Sequence, residues 1–141
     1  MMNKLTALLF ILFYFSNCER DDQNNLLPMV PVNETINLSN PEFINIQVPG
    51  GYAYANGGIK GIVIYNINGS SYKAYERSCP HLVPSSCTRM TVEQSFKMKC
   101  HCDQSEFNIL NGSPLTPNIK YVAREYKVTM INANTLKITN F

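Results

Sequence analysis

The chain reads Cys79-Pro80-His81 at one point and Cys100-His101-Cys102-Asp103 further on. Each stretch offers a cysteine and, two or three residues later, a second side chain that can bind a metal. Thiolate sulfur is a soft ligand that suits iron–sulfur clusters and zinc, and imidazole suits zinc and iron. The chain has 2 histidines, and both lie in these stretches. The sequence therefore predicts one site built from two loops.

The residues around these stretches read as short strands separated by turns. Alternating or β-branched runs predict strands or hairpins over 43–48, 61–75, 96–99, 107–110, 126–131 and 135–138. Residues 52–55 and 90–95 fit no element clearly, and no amphipathic helix of useful length is found. Short strands at this regular spacing predict an all-β sandwich or barrel, with both loops at strand ends on the same side.

The loops and their flanking strands resemble a Rieske domain, over roughly residues 40–140. In Rieske [2Fe–2S] centres two cysteines hold one iron and two histidines hold the other. The resemblance implies an antiparallel β-sandwich or barrel with cluster-binding loops at 79–87 and 100–107. It also implies that Cys79 and Cys100 hold the inner iron, and that His81 and Asp103 hold the outer iron.

The resemblance extends to residues around the cluster. It implies that the Ser105 hydroxyl hydrogen-bonds a cluster sulfide, and that Phe107 stands where high-potential members often have a tyrosine. It also implies a disulfide between Cys87 and Cys102 that ties the two loops together. A bridge of this kind constrains the unfolded chain by a few kcal/mol.

Asp103 departs from the Rieske pattern, which has histidine there. A carboxylate ligand adds about one negative charge, so we expect a potential in the lower part of the Rieske range of about −150 to +300 mV, or below it. Gln104 replaces the usual glycine and hinders a close approach of the loop.

Two other arrangements of the same side chains are open. A cluster-free domain would pair Cys79 with Cys100 and Cys87 with Cys102, which leaves His81 an ordinary loop residue. Zinc held by Cys79, His81, Cys100 and Asp103 is chemically reasonable as well.

The N-terminal residues resemble a bacterial lipoprotein signal. Lys4 precedes an apolar run that ends near Phe15, too short for a comfortable membrane span, and Cys18 follows. We expect residues 1–17 to be a signal peptide, Cys18 to be lipidated, residues 18–35 to be a flexible tether and residues 36–141 to be the Rieske-like domain. Of the 5 cysteines, lipidation of Cys18 leaves four, all in the site region. An exported compartment permits disulfides.

These observations predict an exported, lipid-anchored [2Fe–2S] electron-transfer protein that is not an enzyme by itself. A redox partner protein would dock near His81 and Asp103, and the lipid anchor would attach the chain to the periplasmic or outer side of a bacterial membrane. The net charge of +2 is too small to indicate nucleic acid, and no small-molecule substrate is evident. The alternative is a cluster-free Rieske-fold lipoprotein that serves as a binding or structural module.

Overall fold

The computed structural model describes residues 26–141, which form nine strands and one short 3-10 helix. The strands are β1 (Asn33–Asn37), β2 (Tyr52–Ala55), β3 (Ile62–Asn66), β4 (Tyr72–Glu76), β5 (Thr91–Glu93), β6 (Lys97–Lys99), β7 (Glu106–Asn108), β8 (Glu125–Asn132) and β9 (Thr135–Thr139). The 3-10 helix spans Pro41–Gln47.

The strands form two antiparallel sheets. Six lie in the order β1-β9-β8-β4-β3-β2, and three in the order β5-β6-β7. The predicted hairpins are confirmed, because β3 pairs with β4 from Ile62 opposite Glu76 onward, and β8 pairs with β9. The unassigned residues 52–55 form β2 and residues 91–93 form β5. The architecture is all-β, as the sequence predicts.

Two clusters of buried apolar side chains fill the body. One lies between the 3-10 helix and the large sheet, and includes Phe43, Ile46, Ile64, Leu136 and Ile138. The other joins the large sheet to the small sheet and contains Tyr75, Met98, Phe107 and both Cys79 and Cys100. The second cluster sets the position of the candidate site, because both loop cysteines are part of its packing.

The strand predicted over residues 43–48 is wrong, since this segment is the 3-10 helix Pro41–Gln47. Phe43 and Ile46 are buried while Ile44 is 56% exposed, so the apolar contacts recur every three residues. A 3-10 helix has three residues per turn, which puts these two side chains on one face. The helix lies so close to Gly51 that a side-chain carbon there would meet the Asn45 carbonyl, so only glycine fits.

The packed body begins before residue 36, the predicted start of the domain. β1 pairs with β9 from Asn33 onward, and Leu27 and Val32 are buried. Arg124 donates hydrogen bonds to the carbonyls of Leu27 and Pro28. The signal peptide and Cys18 lie outside the described residues and stay predictions. Within residues 26–141, no helix has the length and apolar character needed to cross a membrane.

Candidate functional site

Strand pairing brings the two loops together. The first loop (residues 77–90) leaves β4 and leads into β5, and the second loop (residues 100–105) joins β6 to β7. Thr91 at the start of β5 lies opposite Lys99 at the end of β6. The first loop therefore ends beside the point where the second begins. An isolated bridge between Ser78 and Arg89 closes the base of the first loop.

Cys79 and Cys100 are joined by a disulfide, with their Cα atoms 5.7 Å apart. Both residues are fully buried in the second apolar cluster. The Cys79 backbone N–H donates to the Thr88 carbonyl, and the Cys100 N–H donates to the Ser105 carbonyl. The backbone of each loop thus fixes its own cysteine, and the bridge links the loops at their inner ends.

A second disulfide joins Cys87 to Cys102, with a Cα–Cα distance of 5.0 Å. Cys87 is exposed and Cys102 is half-buried, so this bridge lies nearer the surface than the first. All four cysteines of residues 26–141 are therefore paired, and each pair crosses from one loop to the other.

His81 and Asp103 form a side-chain hydrogen bond at the surface side of the site. His81 Nε2 lies 2.7 Å from Asp103 Oδ2, and the side chains are 10% and 39% exposed. The Ser105 hydroxyl donates to Asp103 Oδ1 at 2.8 Å, and the Ser105 N–H donates to the same oxygen at 3.1 Å. Partial burial pushes the pKa of Asp103 upward, but the hydrogen bonds from His81 and Ser105 outweigh it and hold that pKa below its usual value.

The remaining predicted residues also lie at the site. Phe107 is fully buried, and its ring centroid lies 5.7 Å from that of His81. The Ser105 hydroxyl oxygen lies 3.4 Å from His81 Nε2, but this hydroxyl donates its hydrogen bond to Asp103. His101 lies at the surface, where its Nε2 is 2.9 Å from the Thr91 hydroxyl. Gln104 adopts a φ of 65°, the left-handed conformation that glycine adopts without strain and other residues adopt rarely.

These donors fit a Rieske cluster only in part. Cys79 and Cys100 meet at the inner ends of the loops, and His81 Nδ1 is buried with no hydrogen-bond partner in residues 26–141. Asp103, however, binds the opposite ring nitrogen, Nε2. Within the folded chain this carboxylate thus contacts Nε2 and not the unpartnered Nδ1. The two sulfurs bond to each other, and no group of three or more His, Cys, Asp or Glu side chains in residues 26–141 is arranged for one metal ion. As folded, the four predicted ligands are paired with one another, Cys79 with Cys100 and His81 with Asp103.

One buried polar network near the site was missed by sequence reasoning. The Glu76 carboxylate is fully buried and accepts from the N–H groups of Ile59, Lys60 and Ser78 and from the Tyr126 hydroxyl. Its distances to these four donors lie between 2.6 and 2.9 Å. The sequence signal for this network is Glu76 itself, a charged residue at the buried end of a strand.

Known structures resemble this fold at low identity. The ferredoxin of carbazole 1,9a-dioxygenase from Nocardioides aromaticivorans IC177 is 16% identical, with a TM-score of 0.50 over 80% of this chain and 100% of that one. A ferredoxin–oxygenase complex of carbazole 1,9a-dioxygenase matches at 20% identity and a TM-score of 0.47, over 64% of this chain and 82% of that one. The Escherichia coli protein NirD matches at 11% identity and a TM-score of 0.47, over 78% and 97%.

No protein-family model matches the chain, and no curated protein matches it. The likeness to the Nocardioides ferredoxin covers the whole of that chain and establishes the fold. The protein is therefore an all-β domain with a Rieske-like ferredoxin fold. Fold alone does not assign chemistry, so function has to come from the site.

Proposed function

We propose that this protein is an exported Rieske-fold module without a cluster, which works as a binding or structural component and not as an electron carrier. The observation that carries the proposal is the pairing of the predicted ligands with one another. Cys79 is bonded to Cys100, and His81 is bonded to Asp103. Each pair links the first loop to the second, as one iron with its two ligands does in a Rieske centre.

These links can serve the structural role of a cluster. In the chain-entropy description, a bridge across 21 residues removes about 3 kcal/mol of freedom from the unfolded chain. The Cys87–Cys102 bridge adds a constraint of similar size. The His81–Asp103 hydrogen bond is partly exposed and contributes about 1 kcal/mol. The loops thus stay joined without iron, and Asp103 has a clear role as the carboxylate that pairs with His81.

Export and anchoring complete the proposal. Two disulfides suit an oxidising compartment outside the cytoplasm. Lipidation at Cys18 would hold the domain at a membrane by a tether, on the periplasmic side or at the cell surface. Binding, and not catalysis, is the function that we assign to such a module.

Electron transfer through a [2Fe–2S] cluster is the second candidate, and His81 is the residue that favours it. Its Nδ1 is buried without a hydrogen-bond partner in residues 26–141, as expected of a nitrogen that has a ligand role. Cys79, Cys100 and His81 would then hold the cluster, with Asp103 on Nε2 or moved to the fourth position. When bound, the cluster would accept and release single electrons, and a redox protein would dock near His81.

Thiol counting together with iron analysis separates the two candidates. The chain is produced with its leader in an exporting bacterium, and separately in the cytoplasm of a host that assembles iron–sulfur clusters. We expect no alkylation of Cys79, Cys87, Cys100 or Cys102 in the denatured, non-reduced exported chain, and no stoichiometric iron from either host. About two irons and two acid-labile sulfides per chain, with a Rieske-type EPR signal on reduction, would overturn the proposal.

The variant Asp103→His sharpens the test, because it restores the fourth Rieske ligand without touching the cysteines. A cluster in Asp103→His but not in the unaltered chain would show that the change at this position removed iron binding. If instead both proteins bind the cluster and the variant has the higher potential, electron transfer is the function.

A further inference from the structure

A polar pocket of about 570 Å³ opens at the base of the first loop. Its walls come from β1, the 3-10 helix, the turn between β2 and β3, and two arginines of the first loop, Arg77 and Arg89. Three cationic side chains and two carboxylates line it: Lys60, Arg77, Arg89, Glu34 and Glu42. The volume lies in the range of small-molecule sites.

Arg77 is held rigidly at this pocket. Its guanidinium carbon lies 3.7 Å from the centre of the Tyr54 ring, and its Nε donates to the Met90 carbonyl at 3.0 Å. Tyr54 is itself fixed, since its hydroxyl accepts from the Val92 N–H at 2.9 Å. The terminal nitrogen Nη1 of Arg77 lies close to Gly61. A side-chain carbon added at Gly61 would be 3.7 Å from this nitrogen. A guanidinium fixed in this way loses little freedom when it binds a ligand.

The positive charge of this arginine pair is balanced only in part by nearby carboxylates such as Glu76, and not by a direct ion pair within residues 26–141. Within residues 26–141, neither Arg77 nor Arg89 lies within 4.0 Å of a carboxylate, and Arg89 forms no side-chain hydrogen bond. Burial lowers the pKa of Arg77 from its usual value, Tyr54 and Glu76 act in the opposite direction, and Arg89 lowers it further. A half-buried cation beside a second cation is stabilised by an anion that contacts both.

We propose that this pocket binds a small oxyanion ligand, a carboxylate or phosphate group held between Arg77 and Arg89. Arginine forms paired hydrogen bonds to both groups, because its planar fork matches their two oxygens. Lys60 adds a third positive charge, whereas Glu34 and Glu42 disfavour a ligand of high negative charge. The site goes beyond the proposed function and does not depend on whether the loops carry a cluster, because none of the predicted metal ligands lines it.

Titrations followed by nuclear magnetic resonance test this proposal on the oxidised chain. Sodium phosphate and sodium succinate are added separately, with sodium chloride adjusted to hold the ionic strength constant. We expect saturable shifts of the Arg77 Nε–H signal and of the amides of Gly57 and Gly61. Binding in Arg89→Gln should be about tenfold weaker, since one charge-assisted contact is lost. The Arg89 side chain is exposed and forms no hydrogen bond or ion pair within residues 26–141, so this variant should fold normally.

Lys127→Gln is the matched control, because it removes one exposed positive charge that does not line the pocket. It should bind both anions as the unaltered chain does. Arg77→Lys keeps the charge but loses the planar fork, and it should bind more weakly as well. The proposal is overturned if neither anion gives saturable shifts up to about 50 mM, or if Arg89→Gln and Lys127→Gln weaken binding equally.

Discussion

The buried carboxylate of Glu76 should stabilise the fold through its four donors, and Tyr126→Phe measures one of them. The Tyr126 hydroxyl donates to Glu76 Oε2 at 2.7 Å, and both groups are buried. A hydrogen bond to a charged group contributes about 1.5–3 kcal/mol, and its loss leaves the carboxylate short of a donor. We expect Tyr126→Phe to lower the free energy of unfolding by about that amount. Ile59 and Lys60, bound to the same carboxylate, also line the anion pocket.

The same chemical change at Tyr75 is the internal control. Tyr75 is fully buried, but its hydroxyl has no hydrogen-bond partner within the described part of the chain. Removal of an unsatisfied polar atom should leave stability unchanged or raise it by about 1 kcal/mol. Both variants are unfolded in urea under non-reducing conditions and followed by far-ultraviolet circular dichroism, with linear extrapolation to water. Equal effects of Tyr75→Phe and Tyr126→Phe would refute the reasoning.

Three further results are expected. Gly58→Ala should destabilise the fold by more than about 1 kcal/mol in the same urea assay, because φ is 62° and the added carbon would collide with the Glu76 carboxylate; no loss would contradict this. Replacing Cys87 and Cys102 together by serine should cost about 3 kcal/mol, as a bridge across 15 residues predicts, and an unchanged urea midpoint would argue against the bridge. Burial raises the pKa of Tyr75 and Tyr126 in the folded state. The unfolded chain loses these two protons near pH 10, whereas the folded chain keeps them. The free energy of unfolding should therefore be constant below that pH and fall above it by about 1.4 kcal/mol per pH unit for each tyrosine. Tyr126→Phe should lower this slope in unfolding curves recorded above about pH 10, and an unchanged slope would exclude Tyr126 as one of its sources.

Local sequence was a good guide to the strands and a poor one to the segment 43–48. The hairpin at 61–75 was predictable because a β-branched run and a turn rich in asparagine and glycine agree with each other. In residues 43–48 the sequence fits two patterns, since Ile44, Ile46 and Val48 alternate as in a strand, while Phe43 and Ile46 are three residues apart as in a 3-10 helix. Only the packing of the core decides which pattern the chain adopts. The core buries Phe43 with Ile46, which requires the 3-10 helix.

The sequence by itself determined that two cysteine loops between short strands would form one site in an all-β domain. The resemblance to Rieske domains rested on residues that are close in the sequence, such as Cys79 and His81. Spacing of this kind can be read directly from the sequence. Which nitrogen of His81 meets Asp103, and whether Arg77 and Arg89 find carboxylate partners, could be decided only by the tertiary structure. These contacts depend on side-chain direction and on distances between loops that are far apart in the chain, and no pattern along the sequence specifies them.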